Sequence, residues 1–266
     1  MRTEFDHVYL AAHGSTALLV LNHPEVLNAI SAKMIGGACE ALDGAARPDS
    51  GFRALVITGE GRGFCSGANL AEGVAEGADI PASLGATIEK IYHPFLRRLR
   101  DLPMPIVTAV NGPAAGFGMS IALMGDIVVA ARSAYFLQAF ARLGLVPDGG
   151  STWLLPRLIG LARARELSLL AEKLPAEKAL EWGLINRVFP DDTLLNEAMK
   201  LADKLAQGPT LALAAMRRLY WASPQNTYEQ QLDLERRSQQ KAGGTKDFVE
   251  GVGAFLQKRP PAFEGK

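Results

Sequence analysis

One carboxylate stands where it could do chemistry. In LGLVPDGGSTW, residues 143–153, Asp148 separates an apolar stretch from small residues that open a helix. Two roles are open to it. It could cap the helix beginning near Ser151 by accepting from unpaired N–H groups of the first turn, or it could take up and return a proton. Two glycine-rich turns could supply the other half of a reaction centre: GFCSGANL, residues 63–70, and NGPAAGFGMS, residues 111–120. Each follows a strand-like run, and the second leads into a helix. Turns of this kind leave main-chain N–H groups unpaired and facing outward, where they favour negative charge. Neither turn has the lysine of a P-loop or the spacing of a dinucleotide fingerprint. Two readings remain for each turn: close packing of backbone on backbone, or stabilisation of an oxygen that gains charge.

The other reactive side chains have no partners at useful spacing. Cys39 and Cys65 form no pair or ligand pattern, and Cys65 reads as a small packing residue. His23 and His93 have no companion at metal-ligand spacing, so no metal site is expected.

The elements that must position these residues follow from periodicity. HVYLAAHGSTALLVLNHPE alternates around Gly14 and predicts a hairpin ending near Asn22. Ser31 is placed to cap a helix whose Met34, Ala38 and Leu42 recur at helical spacing. FRALVITGEG predicts the strand leading into the first glycine turn, and residues 71–83 read as a loop. From Leu84, the apolar positions Ile88, Ile91, Tyr92, Phe95 and Leu99 mark one face of a long helix, with Arg97, Arg98 and Arg100 mostly off it. MPIVTAV, DIVVAA and AYFL predict further strands, and the chain after Asp148 reads as mostly helical. Strands alternating with helices predict an α/β core over residues 1–200 and a helical region over 201–266. In that region Phe248, Val249, Val252, Phe255 and Leu256 form an apolar stripe, suited to the core or to another subunit.

Bulk properties narrow the function classes. In 266 residues, Lys+Arg and Asp+Glu both number 28, so no overall field favours nucleic acid or an anionic membrane. No apolar run reaches the roughly 20 residues that span a bilayer, and MRTEFDHVYL lacks a signal-peptide pattern. A cytoplasmic protein is the expectation.

The motifs together carry a resemblance. LNHPEVLNAIS, GFCSGANL and VNGPAAGFGMSIALMGDIVVAA resemble the N-terminal motif and the two oxyanion-hole segments of the crotonase superfamily, the enoyl-CoA hydratase/isomerase family. From FLQAFARLGLVPDGGSTWLLPR onward the chain is most similar to the branch that converts ring-epoxide phenylacetyl-CoA to oxepin-CoA. The resemblance implies a spiral of ββα units and a helical C-terminal trimerisation region, assembled as a homotrimer or dimer of trimers. It implies an acyl-CoA thioester substrate, with coenzyme A as part of that substrate and no separate cofactor.

On this resemblance the N–H groups of Ala68 and Phe117 hold the thioester oxygen. Val26, Leu27, Ala29, Ser66 and Leu70 are candidate walls for coenzyme A, while Gly118, Ser120, Phe140 and Pro147 are candidates around the acyl group. Lys258 and Arg259 could reach a phosphate or belong to a solvated tail. The family's hydratases use two glutamates, and matching the motifs puts Ser120 at the first position and Phe140 at the second. Neither residue replaces a carboxylate. Asp148 is then the acid at hand, and an aspartate in this place shuttles a proton between carbons in the resembled isomerases. Leu145, Val146, Pro147 and Phe140 are the apolar neighbours expected to raise its pKa by desolvation. Acyl-CoA isomerisation is the expected activity. Alternatives are enoyl-CoA hydration, acyl-CoA binding without catalysis, and nucleophilic attack by Asp148 as in the family's dehalogenases.

Overall fold

The computed structural model describes residues 2–69 and 80–266, without the side chains of 80–83. Leu70 and residues 71–79 of the expected loop lie outside the described residues.

The predicted hairpin forms as β2 (Val8–His13) and β3 (Thr16–Leu21), paired antiparallel. A further strand, β1 (Arg2–Phe5), pairs with β2 at the edge. Its polar RTEF sequence is mostly exposed and gives no alternating signal. After β3 the pairing becomes parallel. β4 (Ala54–Gly59) joins β3, β5 (Ile106–Val110) joins β4, and β7 (Ile127–Ala131) joins β5, with β10 (Arg187–Phe189) outermost. β3, β4 and β5 are buried along their whole length, as expected of strands covered on both faces. A second, three-stranded sheet holds β6 (Ala114–Ala115), β8 (Tyr135–Leu137) and β9 (Leu174–Pro175).

Helix α1 (Ala32–Ala45) covers β2 and turns Met34, Ile35, Ala38, Ala41 and Leu42 inward. Its cap is the expected one: the Ser31 hydroxyl accepts from the Met34 N–H at 3.1 Å. Ser31→Ala should lower stability by about 1 kcal/mol, measurable as a lower urea midpoint at unchanged slope.

The long helix begins earlier than its apolar stripe suggests. α2 (Ile80–Thr87) continues through a π-helical segment, Ile88–Tyr92, into α3 (His93–Asp101). Tyr92, Phe95 and Leu99 are buried, whereas Arg97 and Arg100 face out and Arg98 pairs with Asp43 of α1 at 2.8 Å. Then come α4 (Phe117–Ala122), α5 (Ser151–Leu170, broken at Gly160) and α6 (Ala176–Trp182). In α7 (Leu194–Ala206), Ala198 and Ala202 are fully buried, so the small side chains let the helix lie close on β4 and β5.

Three helices end the chain: α8 (Thr210–Ala222), α9 (Tyr228–Gly243) and α10 (Lys246–Leu256). Buried Arg217 of α8 pairs with Asp126 and donates to the carbonyls of Leu99 and Leu102, and Trp221 stacks on Trp153 with centroids 5.4 Å apart. The apolar stripe on α10 faces outward, with Phe255 82% exposed.

Candidate active site

Main-chain bonds hold the two glycine turns together. Phe64 and Cys65 donate to the Pro113 carbonyl at 3.2 and 3.0 Å, and Ala115 donates back to the Cys65 carbonyl at 2.9 Å. Gly118, expected near the acyl group, is buried in this seam. A Cβ built there would lie 2.2 Å from the Cys65 oxygen, so only glycine permits the approach. Gly67, at φ +101°, brings the first turn to the second: its Cβ position lies 3.8 Å from the Phe117 nitrogen.

The amides of interest are set by this bonding. Ile30 accepts from Asn69 and donates to the Gly67 carbonyl, at 2.8 and 2.7 Å. The parallel bridge at Ala68 therefore uses the groups on either side of it. Ala68 is exposed, and neither its N–H nor that of Phe117 has a backbone acceptor among the described residues. Phe117 starts α4 after Gly116, whose φ is +52°.

Asp148 lies in the turn ahead of α5, half-buried. It does not cap that helix with its side chain. The N-cap position falls on Gly150, without a side-chain bond, and Ser151 N–H donates instead to the Asp148 main-chain carbonyl at 3.0 Å. Gly149 and Gly150, at φ +60° and +80°, make the turn tight enough to send the chain straight into the helix. The carboxyl is left without a local task. Its Oδ1 is buried with no hydrogen-bond partner among the described residues, and desolvation raises its pKa to about 6.

The expected source of that desolvation needs correction. Val146 is 81% exposed and Leu145 is also exposed, because the segment before Pro147 runs along the surface. Apolar side chains from other parts of the chain also stand beside the turn. Tyr92 of the long helix stacks on Phe117, with centroids 4.3 Å apart, and its hydroxyl is held up to about 12 by burial and then by the charge of Asp148. Tyr92 reads in sequence as one more position on an apolar helix face, so its place here is legible only in three dimensions. Phe140 is buried near the second turn, its ring 3.8 Å from the Cβ position of Gly116. Pro147 is half-buried beside Asp148. Ser120 is fully buried and donates to the Asp148 carbonyl at 3.3 Å.

The other candidates gather at the end of β3. Val26 is exposed, Leu27 takes a left-handed conformation, and Ser66 bonds both, its hydroxyl to the Val26 carbonyl and its N–H to the Leu27 carbonyl, each at 3.0 Å. Ala29 is buried, 7% exposed. A residue that pattern reading passed over anchors this turn. Asn28, also left-handed, is buried, donates to the carbonyls of Glu60 and Gly63, and accepts from the His23 N–H. An asparagine in a tight turn is the signal that could have found it. Cys65 is fully buried and its thiol is pushed up to about 12, which suits packing and not nucleophilic attack. Arg259 is engaged by Glu250 at 2.6 Å.

The whole arrangement matches a known family: residues 11–266 fit the Enoyl-CoA hydratase/isomerase profile. The chain belongs to the enoyl-CoA hydratase/isomerase family. Within it the chain is 48% identical to 1,2-epoxyphenylacetyl-CoA isomerase of Escherichia coli K12, over 93% of this chain and 94% of that one. It is 45% identical to a probable enoyl-CoA hydratase of Rhodobacter capsulatus, over 94% and 95%. An enoyl-CoA hydratase/isomerase crystal structure from Mycobacterium abscessus superposes with a TM-score of 0.91 at 35% identity, covering 97% of this chain and all of the other. The crotonase fold of this family is therefore the fold of this chain, and members of the family are enzymes, isomerases or hydratases.

Proposed function

We propose that this protein is an acyl-CoA isomerase in which Asp148 moves a proton along the acyl group while the amides of Ala68 and Phe117 hold the thioester oxygen. The observation that carries this reading is the Asp148 carboxyl, desolvated and free of a capping bond, in the turn that packs against Phe117. A carboxylate with a pKa of about 6 is ionised at neutral pH yet basic enough to accept a carbon-bound proton from an activated position. Removing the α-proton sends the electron pair toward the thioester oxygen, where two fixed N–H donors stabilise it. One such donor is typically worth about 3 kcal/mol in the transition state. In a 3-enoyl substrate the pair delocalises to the γ-carbon, and Asp148, whose proton exchanges with water before it is delivered, protonates that carbon. The product is the conjugated 2-enoyl-CoA, with atoms and charge balanced.

Likeness to the Escherichia coli enzyme favours epoxyphenylacetyl-CoA as a second substrate class, with oxepin-CoA as product. The outward stripe on α10 is suited to burial against another subunit, and the family likeness favours a homotrimer or dimer of trimers.

Hydration is the second reading, favoured by the name of the Rhodobacter capsulatus relative. Ser120, fully buried and bonded, and Phe140 leave its two-carboxylate chemistry without side chains to perform it. The deciding experiment incubates the protein in D2O with a 3-enoyl-CoA, with epoxyphenylacetyl-CoA and with crotonyl-CoA. The expected result is a conjugation shift or ring expansion with deuterium entering at carbon, and no gain of water by crotonyl-CoA. Hydration of crotonyl-CoA with no isomerisation overturns the proposal, and so does thioester binding with neither reaction.

A further inference from the structure

Beneath the Asp148 turn lies a buried polar group that packing alone does not explain. Gln138 and Ser151 are fully buried, as is Ser120, in a region otherwise lined by apolar side chains. The Gln138 amide nitrogen donates to the Ser151 hydroxyl at 3.2 Å and to the Met119 sulfur at 3.3 Å. The two serine hydroxyls are 2.9 Å apart, and Ser120 donates to the Asp148 carbonyl at 3.3 Å. These bonds fix the direction of the chain. Ser151 accepts from Gln138, Ser120 spends its hydrogen on Asp148, so the hydrogen between the hydroxyls belongs to Ser151.

A cost accompanies this order. The Gln138 carbonyl oxygen is buried with no partner among the described residues, and an unpaired buried acceptor destabilises the fold where a leucine would not. Violations of this kind are retained mainly where function needs the geometry. Steric fit adds to the bonding. Gly149 sits so close that a Cβ there would lie 2.5 Å from the Ser120 Cβ and 3.1 Å from the Phe117 ring. Ser120 thus meets the turn on both sides of the Asp148 peptide, through a bond at 148 and a contact at 149.

The geometry points to Gln138, Ser151 and Ser120 as a positioning relay for the reaction: an oriented run of hydrogen bonds that ends on the Asp148 carbonyl and sets where the carboxyl stands. It rests on Asp148 being the proton carrier. None of the three touches the reacting atoms. Their effect passes through the backbone of residues 148–149, and a larger side chain at 120 would displace that backbone.

The test compares Gln138→Leu, Ser151→Ala and Ser120→Ala with the conservative Ser151→Thr, and with Asp148→Asn, in the full-length protein. kcat, KM, the pH profile and the melting temperature are measured on a 3-enoyl-CoA. Displacing a catalytic group by an ångström typically costs about 100-fold, so each disruptive variant should lose about 10- to 100-fold in kcat with KM nearly unchanged. The acid limb of the profile should move to lower pH as the loosened carboxyl gains water, and Ser151→Thr should restore most of the rate. Gln138→Leu should melt no lower than the parent. If rates fall only as far as stability falls, or if KM rises while kcat holds, the relay is overturned and the group is structural or part of the binding wall. Unchanged kcat in all three overturns it too. If Asp148→Asn is itself active, the proton-carrier reading fails and takes the relay with it. An inactive Asp148→Asn beside fully active relay variants removes the relay alone.

Discussion

Asp148→Asn should fold, bind an acyl-CoA and lose about 1,000-fold or more in kcat, within the range that a positioned acid–base group supplies. The amide has the same shape, occupies the same turn and cannot accept a proton from carbon. Ligand binding by calorimetry should change little, because the Ala68 and Phe117 amides remain. Normal turnover by this variant would remove Asp148 from the mechanism. In the parent, kcat/KM should rise through about pH 6 and level off above it, following ionisation of the carboxyl.

The same substitution has a stability signature of determined sign. Desolvation raises the Asp148 pKa in the folded state from its ordinary value to about 6. Between the two values the folded chain binds more proton than the unfolded chain, so this group's contribution is full below the unfolded pKa and is lost as pH rises through about 6. Asparagine carries no such loss. Asp148→Asn should therefore be more stable than the parent at pH 8, by about 1–2 kcal/mol after allowing for partial exposure, with the difference closing near pH 4. Denaturant titrations at the two pH values measure it. A stability gain joined to loss of activity is the mark of a residue kept for chemistry.

Gly118→Ala should be the most damaging single-methyl change in the seam. The added Cβ would stand 2.2 Å from the Cys65 oxygen and 2.8 Å from its carbonyl carbon. Both are backbone atoms, and the hydrogen bond from Ala115 holds that carbonyl in place. The turns must separate, with a loss of about 3 kcal/mol. Because the same seam spaces the Ala68 and Phe117 amides, kcat/KM should fall about 100-fold even where the protein remains folded. Urea unfolding and steady-state kinetics on one preparation separate the two effects. Parental stability and rate would show that the seam tolerates what its geometry forbids.

Legibility in the sequence followed the range of the interactions. The hairpin around Gly14, the strands β4, β5 and β7 and the Ser31 cap are written in local alternation, periodicity and end signals. The two glycine turns and Asp148 could be singled out because backbone exposure and a stranded carboxylate are properties of short segments. Edge strand β1 escaped because its pairing with β2, and not its own polar pattern, makes it a strand.

What the tertiary structure alone decided is where these pieces face and what surrounds them. Asp148 could equally have been a cap until Gly150 took that position. Its desolvation was expected from Leu145, Val146, Pro147 and Phe140, yet Leu145 and Val146 are open to solvent, and Tyr92 and Phe117, more than 30 residues away, stand beside its turn. The Gln138–Ser151–Ser120 run likewise joins positions no periodicity connects. Strands, turns and caps are settled by each residue and its nearest neighbours along the chain, whereas a pKa or a catalytic angle is a sum over every atom within several ångströms. Only the packed chain brings those atoms together.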